Sequence, residues 1–156
     1  MHKTIEPSIL YFGTPVVVVS TLNEDESTNI APMSSAWWLG WSCMLGLDAT
    51  SKTTANLRRT GECVLNLAAD RNVGAVNDLA LLTGSASLPP HKKALGYRSS
   101  ARKFEEAGLT RQASEFVRPD GIREFPVHLE ATVQNIYDFA RNDPRMAIRS
   151  CAVEVT

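Results

Sequence analysis

The chain has 156 residues, enough for one domain with a substantial core but too few for two independent ones. Its formal net charge is −1 and its Lys and Arg residues are scattered, which excludes the basic surface that nucleic acids and anionic membranes require. No apolar run is long enough to span a bilayer and the N-terminus lacks the apolar core of a signal peptide, so we expect a single cytoplasmic domain over residues 1–156.

The first predicted element is a β-hairpin. Val16 to Leu22 is dense in β-branched residues, which is typical of a strand buried on both faces. An acidic turn at residues 23–27 follows, and the chain restarts at Thr28 toward Trp38. These two segments therefore predict a hairpin with a polar tip.

Two further strands flank a short helix. Cys43 to Leu47 predicts the third strand and Glu62 to Leu67 the fourth. Between them, a helix is predicted from about Lys52 to Arg59, and it stops at Gly61, where a helix C-terminus favours left-handed backbone.

The pattern then changes to a helical period. Residues 70–83 carry apolar side chains three or four apart before Gly84, which predicts one amphipathic helix. Residues 91–97 and 99–107 predict shorter helical pieces, and residues 109–125 are irregular.

The chain ends in strands. Val127 to Phe139 alternates apolar and polar side chains, residues 142–145 predict a turn, and Ala147 to Val155 predicts a last strand. Short strands with one helical insertion predict a mainly β fold, a β-barrel with helical insertions.

Two neighbouring stretches carry the groups that a flat anionic ligand needs. Residues 29–38 combine short amide and hydroxyl side chains with a proline and paired tryptophans, which can supply backbone donors and a flat apolar wall. Residues 47–54 predict a strand end, a turn and a helix start, where N–H groups, hydroxyls and one ammonium can hold a phosphate ester. A capped helix without ligand, and an edge strand with core tryptophans, remain open alternatives.

The remaining candidates favour structural roles. Cys43, Cys63 and Cys151 have no close-spaced pair, so small buried hydrophobes are favoured over a disulfide framework or a metal site. His91, beside two lysines, could guide the phosphate of a substrate, but such a helix start is more often a solvated face. His128 is on the polar side of its strand, where a surface or hydrogen-bonded role is favoured over proton donation.

Several segments, taken in order and spacing, resemble the flavin reductase-like family, the FMN-binding split β-barrels that include flavoredoxin. The likeness spans most of the chain and rests on residues 15–21, 29–34, 52–57, 60–67, 103–110 and 125–131.

The resemblance implies an FMN-binding split barrel that takes hydride from NAD(P)H and passes electrons through FMN to a flavin or another small acceptor. It implies a homodimer with FMN near the interface and assigns no metal and no catalytic side chain. Lys52 would face the phosphate, the hydroxyls of Ser34 and Ser35 the polar edge of the ring, and Trp37 or Trp38 one ring face. The cofactor-binding residues that it implies are Asn29, Ala31, Pro32, Met33, Ser34, Ser35, Trp37, Asp48, Ala49, Thr50, Ser51, Lys52 and Thr53.

Two other functions stay open at this point. One is a non-catalytic FMN-binding protein for electron transfer or flavin storage, and the other is a relative that binds no cofactor. Family members continue past the position of Thr156 into strands that finish the barrel. We therefore expect either a domain shortened at its C-terminus or a closing strand that comes from elsewhere.

Overall fold

The structure is a computed structural model that describes residues 3–6, 13–142 and 149–156. The strands within these ranges are β1 (Val17–Leu22), β2 (Thr28–Met33), β3 (Ala36–Leu39), β4 (Ser42–Asp48), β5 (Glu62–Leu67), β6 (Leu82–Thr83), β7 (Arg98–Ser99), β8 (Arg111–Gln112), β9 (Gly121–Ile122), β10 (Val127–Phe139) and β11 (Ser150–Val155). The helices are α1 (Lys52–Thr60), α2 (Val73–Leu79), α3 (Pro90–Ala94) and α4 (Lys103–Glu106), with a 3₁₀ turn at Asp70–Asn72.

Seven of these strands form one curled, antiparallel half-barrel sheet in the order β2-β1-β5-β10-β11-β4-β3. The prediction of a mainly β fold with helical insertions is confirmed. β11 lies between β10 and β4, so the end of the described chain occupies the middle of the sheet.

Both faces of the sheet are covered along β1. Val17 and Val19 point into a core on one side with Leu45, while Val18 packs on the other side with Ile30 and residues of the helical segments. Because alternate residues enter different cores, all six residues of β1 are buried, and the predicted doubly buried strand is confirmed.

The predicted segment from Thr28 to Trp38 is two strands rather than one. β2 pairs with β1, and β3 pairs with β4 at the opposite edge of the sheet. Ser34 and Ser35 form the connection that crosses from β2 to β3, and the Ser35 carbonyl accepts a hydrogen bond of 2.7 Å from the Gly46 amide. A Cβ on Gly46 would lie 2.9 Å from the Ser35 Cβ, so this crossing needs glycine on its neighbour.

Helix α1 agrees with its prediction to within one residue. The Ser51 hydroxyl caps it by accepting a bond of 3.1 Å from the Thr54 amide. Gly61 ends it with φ 71°, the left-handed backbone that was predicted there.

The helix predicted for residues 70–83 is wrong in length. It ends at Leu79, and β6 then pairs in parallel with β7. Backbone hydrogen bonds to a later segment explain why the helix is shorter than predicted. The Leu81 carbonyl accepts a hydrogen bond of 3.0 Å from the Arg98 amide, and the Thr83 carbonyl accepts one of 2.9 Å from the Ser100 amide. Tertiary pairing outweighs local helical periodicity here.

The two shorter helical predictions also contract, to α3 and α4, with β7 between them. Residues 109–125 are mostly irregular, as predicted, and contain the short pair β8 and β9. β10 has the bounds predicted for it. The described part of the last strand begins at Ser150, and residues 143–148 of the predicted turn and strand start lie outside the described residues.

The irregular segment is tied to the sheet by polar side chains. Glu130 of β10 accepts hydrogen bonds from the amides of Glu115, Phe116 and Val117 at 2.9, 2.6 and 3.2 Å. The predicted hydrogen-bonded role of His128 is confirmed, since its Nε2 lies 2.7 Å from the Ile122 carbonyl oxygen.

The cysteine prediction is confirmed too, because all three thiols are free and buried. None of the helices that the described residues form has the length and apolar character needed to cross a membrane.

Candidate functional site

A cavity of about 360 Å³ opens where the end of β2, the start of α1 and the segment around α3 meet; we call it the main cavity. It brings together ten of the thirteen residues predicted to bind a cofactor, and these are Asn29, Ala31, Pro32, Met33, Ser34, Ser35, Asp48, Ser51, Lys52 and Thr53. Both predicted stretches therefore face one space.

The other three predicted residues lie outside the lining. Trp37 is 56% exposed on β3, beyond the crossing that turns the chain away from the cavity. Ala49 packs against the sheet core, and Thr50 is exposed and bonds to the Asp48 carboxylate through its amide and hydroxyl, at 2.8 and 2.7 Å.

The edge position of β2 shapes one wall. Pro32 lies opposite Val18, and its missing N–H costs no ladder bond because β2 is at the edge of the sheet. The strand stops at Met33, and Ser34 and Ser35 follow along the cavity wall as short polar side chains.

The start of α1 forms the second wall. The first turn of a helix leaves N–H groups without acceptors inside the helix, and the Ser51 hydroxyl accepts that of Thr54. The Lys52 ammonium lies beside this turn and pairs with the Glu24 carboxylate at the tip of the β1–β2 hairpin. Glu24 is more exposed than Lys52, so the pair leaves the ammonium available to an anion that replaces this carboxylate.

Asp48 links the cavity wall to α3. Its carboxylate lies 3.0 Å from the Lys92 ammonium, and both side chains are largely buried. Burial acts to raise the pKa of Asp48, but the hydrogen bonds from Thr50 and the ammonium of Lys92 outweigh it and lower the pKa overall. The ion pair holds α3 over the cavity with Asp48 ionised.

Lys103 adds a buried positive charge. It begins α4, is only 4% exposed, and donates a hydrogen bond of 2.8 Å to the Ile30 carbonyl. Burial lowers the pKa of Lys103 to about 8, and the charge of Lys92 contributes to the same shift. With Lys52 and Lys92, three of the described lysines line the main cavity.

Among the described residues, three buried polar atoms of the cavity lining accept or donate no hydrogen bond. One of them, the Asp48 Oδ2, has the Lys92 ammonium 3.0 Å away, and the other two need a partner. Among the residues that the structure describes, the Asn29 Nδ2 and the His91 Nε2 have no hydrogen-bond partner. Buried polar atoms are normally paired, so these two point to a polar ligand. Gly84 packs directly against the Asn29 side chain, and a Cβ there would lie 2.4 Å from the Asn29 Oδ1 and 3.1 Å from the Lys52 Cγ, so this position needs glycine.

This arrangement fits the phosphate and polar ring edge of a flavin. The ammonium groups and the helix start suit the phosphate, and the unpartnered Asn29 amide and the short side chains at residues 31–35 suit a flat ring with polar atoms at its edge. Within the described ranges, no group of His, Cys, Asp and Glu side chains is suited to a metal ion.

The predicted cofactor-binding residues did not include five lining residues that carry polar groups: Thr83, His91, Lys92, Tyr97 and Lys103. The sequence pattern allowed His91, beside its lysines, a role at a phosphate but favoured a solvated face for it. A basic helix start is usually solvated, whereas here the Lys92 ammonium of α3 pairs with the Asp48 carboxylate, a tertiary contact that local sequence does not reveal. Lys103 lies in a segment on which the family resemblance rests, and that was the available signal for it.

Comparison with known proteins agrees with this geometry. The family model described as "Flavin reductase like domain" matches residues 9–148. The uncharacterized protein YdfE of Bacillus subtilis (strain 168) is 42% identical over 134 residues, which is 86% of this chain and 65% of that protein. The chain thus spans slightly less than two thirds of this relative.

Solved structures share the fold at low sequence identity. Flavoredoxin of Desulfovibrio vulgaris (Miyazaki F) has a TM-score of 0.74 and 18% identity, covering 100% of this chain and 74% of that one. Nitrilotriacetate monooxygenase component B from Bacillus cereus has a TM-score of 0.73 and 18% identity, and the match covers 99% of this chain and 78% of that one.

Proposed function

Because the chain belongs to the flavin reductase-like family, we propose that it binds FMN in the main cavity and acts as an oxidoreductase. NAD(P)H would be the electron donor, and a flavin or another small molecule the acceptor. The observation that carries this proposal is that one cavity joins the polar end of β2 to the start of α1.

The residues have separate binding roles in this proposal. Lys52 and the first turn of α1, with Ser51 and Thr53, hold the phosphate. Asn29 donates its free amide N–H to the ring edge, and Ser34 and Ser35 supply further polar contacts there.

A bound flavin would carry the redox chemistry, with NAD(P)H as the hydride donor. The side chains then need only bind and orient the flavin and exclude water. The segment around α3, with Lys92 paired to Asp48, lines one side of the cavity and would exclude water from that side of a bound flavin.

We also propose a homodimer. Trp41 is 95% exposed and Phe116 86% exposed at a groove of about 530 Å³ that Trp38 and Leu129 also line. A contiguous apolar surface of this kind is typical of an interface, and a second copy would cover it.

Lys52→Ala tests the phosphate assignment. Loss of one ammonium contact should weaken FMN binding about tenfold or more and change riboflavin binding little, because riboflavin lacks the phosphate. Dissociation constants follow from the quenching of flavin fluorescence, with Lys93→Ala as the matched control, since Lys93 is exposed on α3 and outside the cavity lining.

Equal loss of affinity for both ligands would show that Lys52 does not hold the phosphate.

Anaerobic mixing of the FMN-loaded protein with NADH or NADPH tests the reductase activity, and rapid bleaching of the flavin is expected. A loaded protein that neither nicotinamide bleaches would be an FMN-binding protein without this activity.

A further inference from the structure

The tip of the β1–β2 hairpin reaches across to the cavity wall formed by α1. The Glu24 carboxylate at this tip pairs with the Lys52 ammonium, 28 residues later in the chain. The Lys52 side chain is 20% exposed and that of Glu24 62% exposed, so the carboxylate approaches a largely buried ammonium from the solvent side. The residue proposed to hold the phosphate of a flavin is therefore already paired with an anion of the chain itself.

Hydrogen bonds from α1 fix the position of this tip. Asn56, which is fully buried in α1, donates hydrogen bonds from its Nδ2 to the Asn23 Oδ1 at 2.9 Å and to the Thr21 hydroxyl at 3.1 Å. Within the turn, the Asn23 amide donates to the Ser27 carbonyl at 2.8 Å. The backbone of Glu24 is therefore already placed when its carboxylate meets the ammonium, and only side-chain freedom is lost.

Lys52 borders two cavities. A second cavity of about 250 Å³ adjoins the main cavity on the hairpin side, and both Glu24 and Lys52 line it. Lys52 also lines the main cavity, whereas Glu24 does not. The ion pair thus draws the ammonium toward the hairpin, and a phosphate in the main cavity would draw it toward the start of α1.

The charge of Glu24 opposes a phosphate at this position. The hydrogen bond from Lys52 lowers the pKa of the Glu24 carboxyl below its ordinary value of 4.5, so this group is ionised at neutral pH. Because like charges repel, the carboxylate disfavours a phosphate dianion that binds nearby. A solvent-exposed ion pair contributes little free energy, so a phosphate can displace the carboxylate, but the displacement reduces the net gain from binding.

We propose that Glu24 is an affinity- and specificity-determining residue of the flavin site, a carboxylate that competes with the ligand phosphate for Lys52. It thereby lowers the preference of the site for FMN over riboflavin. This inference rests on the proposed function and adds a regulation of the same site by the hairpin tip.

Glu24→Gln tests the competition, because it removes the charge and keeps the shape of the side chain. We expect FMN affinity to rise about threefold to tenfold and riboflavin affinity to stay within about twofold, as measured by the quenching of flavin fluorescence. Glu24→Ala, which also removes the charge, should raise the ratio of FMN to riboflavin affinity in the same direction.

Glu26→Gln is the matched control. Glu26 is exposed on the same hairpin tip and lines neither cavity, so this variant removes the same charge without touching the pair. Both affinities should stay within about twofold of the wild-type values.

The Lys52→Ala background separates competition for the ammonium from repulsion at a distance. Without the ammonium there is no pair to break, so the gain in FMN affinity from Glu24→Gln should fall to below half. Retention of more than half of the gain in that background would overturn the inference.

Riboflavin is the internal control for folding, because unchanged riboflavin affinity shows that the cavity of a variant is intact. If the Glu24 variants leave the ratio of FMN to riboflavin affinity at the wild-type value, or if Glu26→Gln raises it equally, the inference fails while the FMN site stands. If the wild-type protein binds no FMN, the proposed function fails and the inference fails with it.

Discussion

The ammonium of Lys103 has lost most of its water, and the Ile30 carbonyl replaces only part of that hydration. The pKa of Lys103 is about 8 in the folded chain, compared with 10.5 for an ordinary lysine. Between about pH 8 and pH 10.5, Lys103 is therefore mostly protonated in the unfolded chain and mostly deprotonated in the folded chain. This group therefore makes the folded state more stable as pH rises from about 8 to 10.5.

Ligand binding should respond to pH in the opposite direction. A bound phosphate favours the charged lysine, so FMN affinity should fall by up to about tenfold per pH unit above pH 8, while the phosphate stays a dianion. Fluorescence titration of FMN between pH 7 and pH 9.5 measures this slope, and Lys103→Met should abolish it.

Riboflavin is the internal control for that titration, since it lacks the phosphate and should show little dependence on pH in this range. A slope that persists in Lys103→Met, with unchanged far-UV circular dichroism, would assign the titration to another group. Near the cavity, the charged groups to compare are Lys52, Lys92, Asp48 and Glu24, besides His91.

At the level of elements, the Glu130 carboxylate of β10 accepts three backbone N–H groups from the segment between α4 and β10. Burial acts to raise the pKa of Glu130, but the amides of Glu115, Phe116 and Val117 outweigh it and lower the pKa. A lowered folded pKa means that this stabilisation is complete above the unfolded pKa of about 4.5 and is lost as pH falls through the folded value.

Glu130→Gln should lower the free energy of unfolding by about 1–3 kcal/mol, because an amide oxygen accepts these N–H groups more weakly than a carboxylate does. Urea denaturation at pH 7 measures the loss, and the difference between variant and wild type should shrink toward pH 3. Glu115→Gln is the control, since Glu115 contributes its backbone N–H to this cluster. An equal loss in both variants would contradict the role of the Glu130 carboxylate.

Elements with strong local signals were predictable. The β-branched run of β1, the alternation of β10, and the cap and glycine stop of α1 all specify structure through nearby residues. The shortened α2 was not, because β6 pairs with β7, a strand from a distant part of the sequence. The site was predictable to the same extent. Local sequence predicted the cavity walls formed by β2 and α1, but not the position of α3, where Lys92 forms a tertiary ion pair with Asp48.

At the scale of the whole molecule, the proposed dimer is testable at the exposed apolar groove. Trp41→Lys would put a charge into the proposed interface, so the protein should change from dimer to monomer in light scattering coupled to size-exclusion chromatography. Phe139→Lys is the control, because Phe139 is also exposed but lies at the other end of the β10–β11 pair. A wild-type monomer, or a Trp41→Lys dimer of unchanged affinity, would contradict the proposal.

The central position of β11 has a consequence for synthesis on the ribosome. Until residues 150–155 have emerged, the strands of the seven-stranded sheet can form only two separate ribbons, β2-β1-β5-β10 and β4-β3, each with an open hydrogen-bonding edge. The nascent protein must keep these edges from pairing with other chains, and helper proteins that shield unfinished sheets should raise its yield during rapid expression.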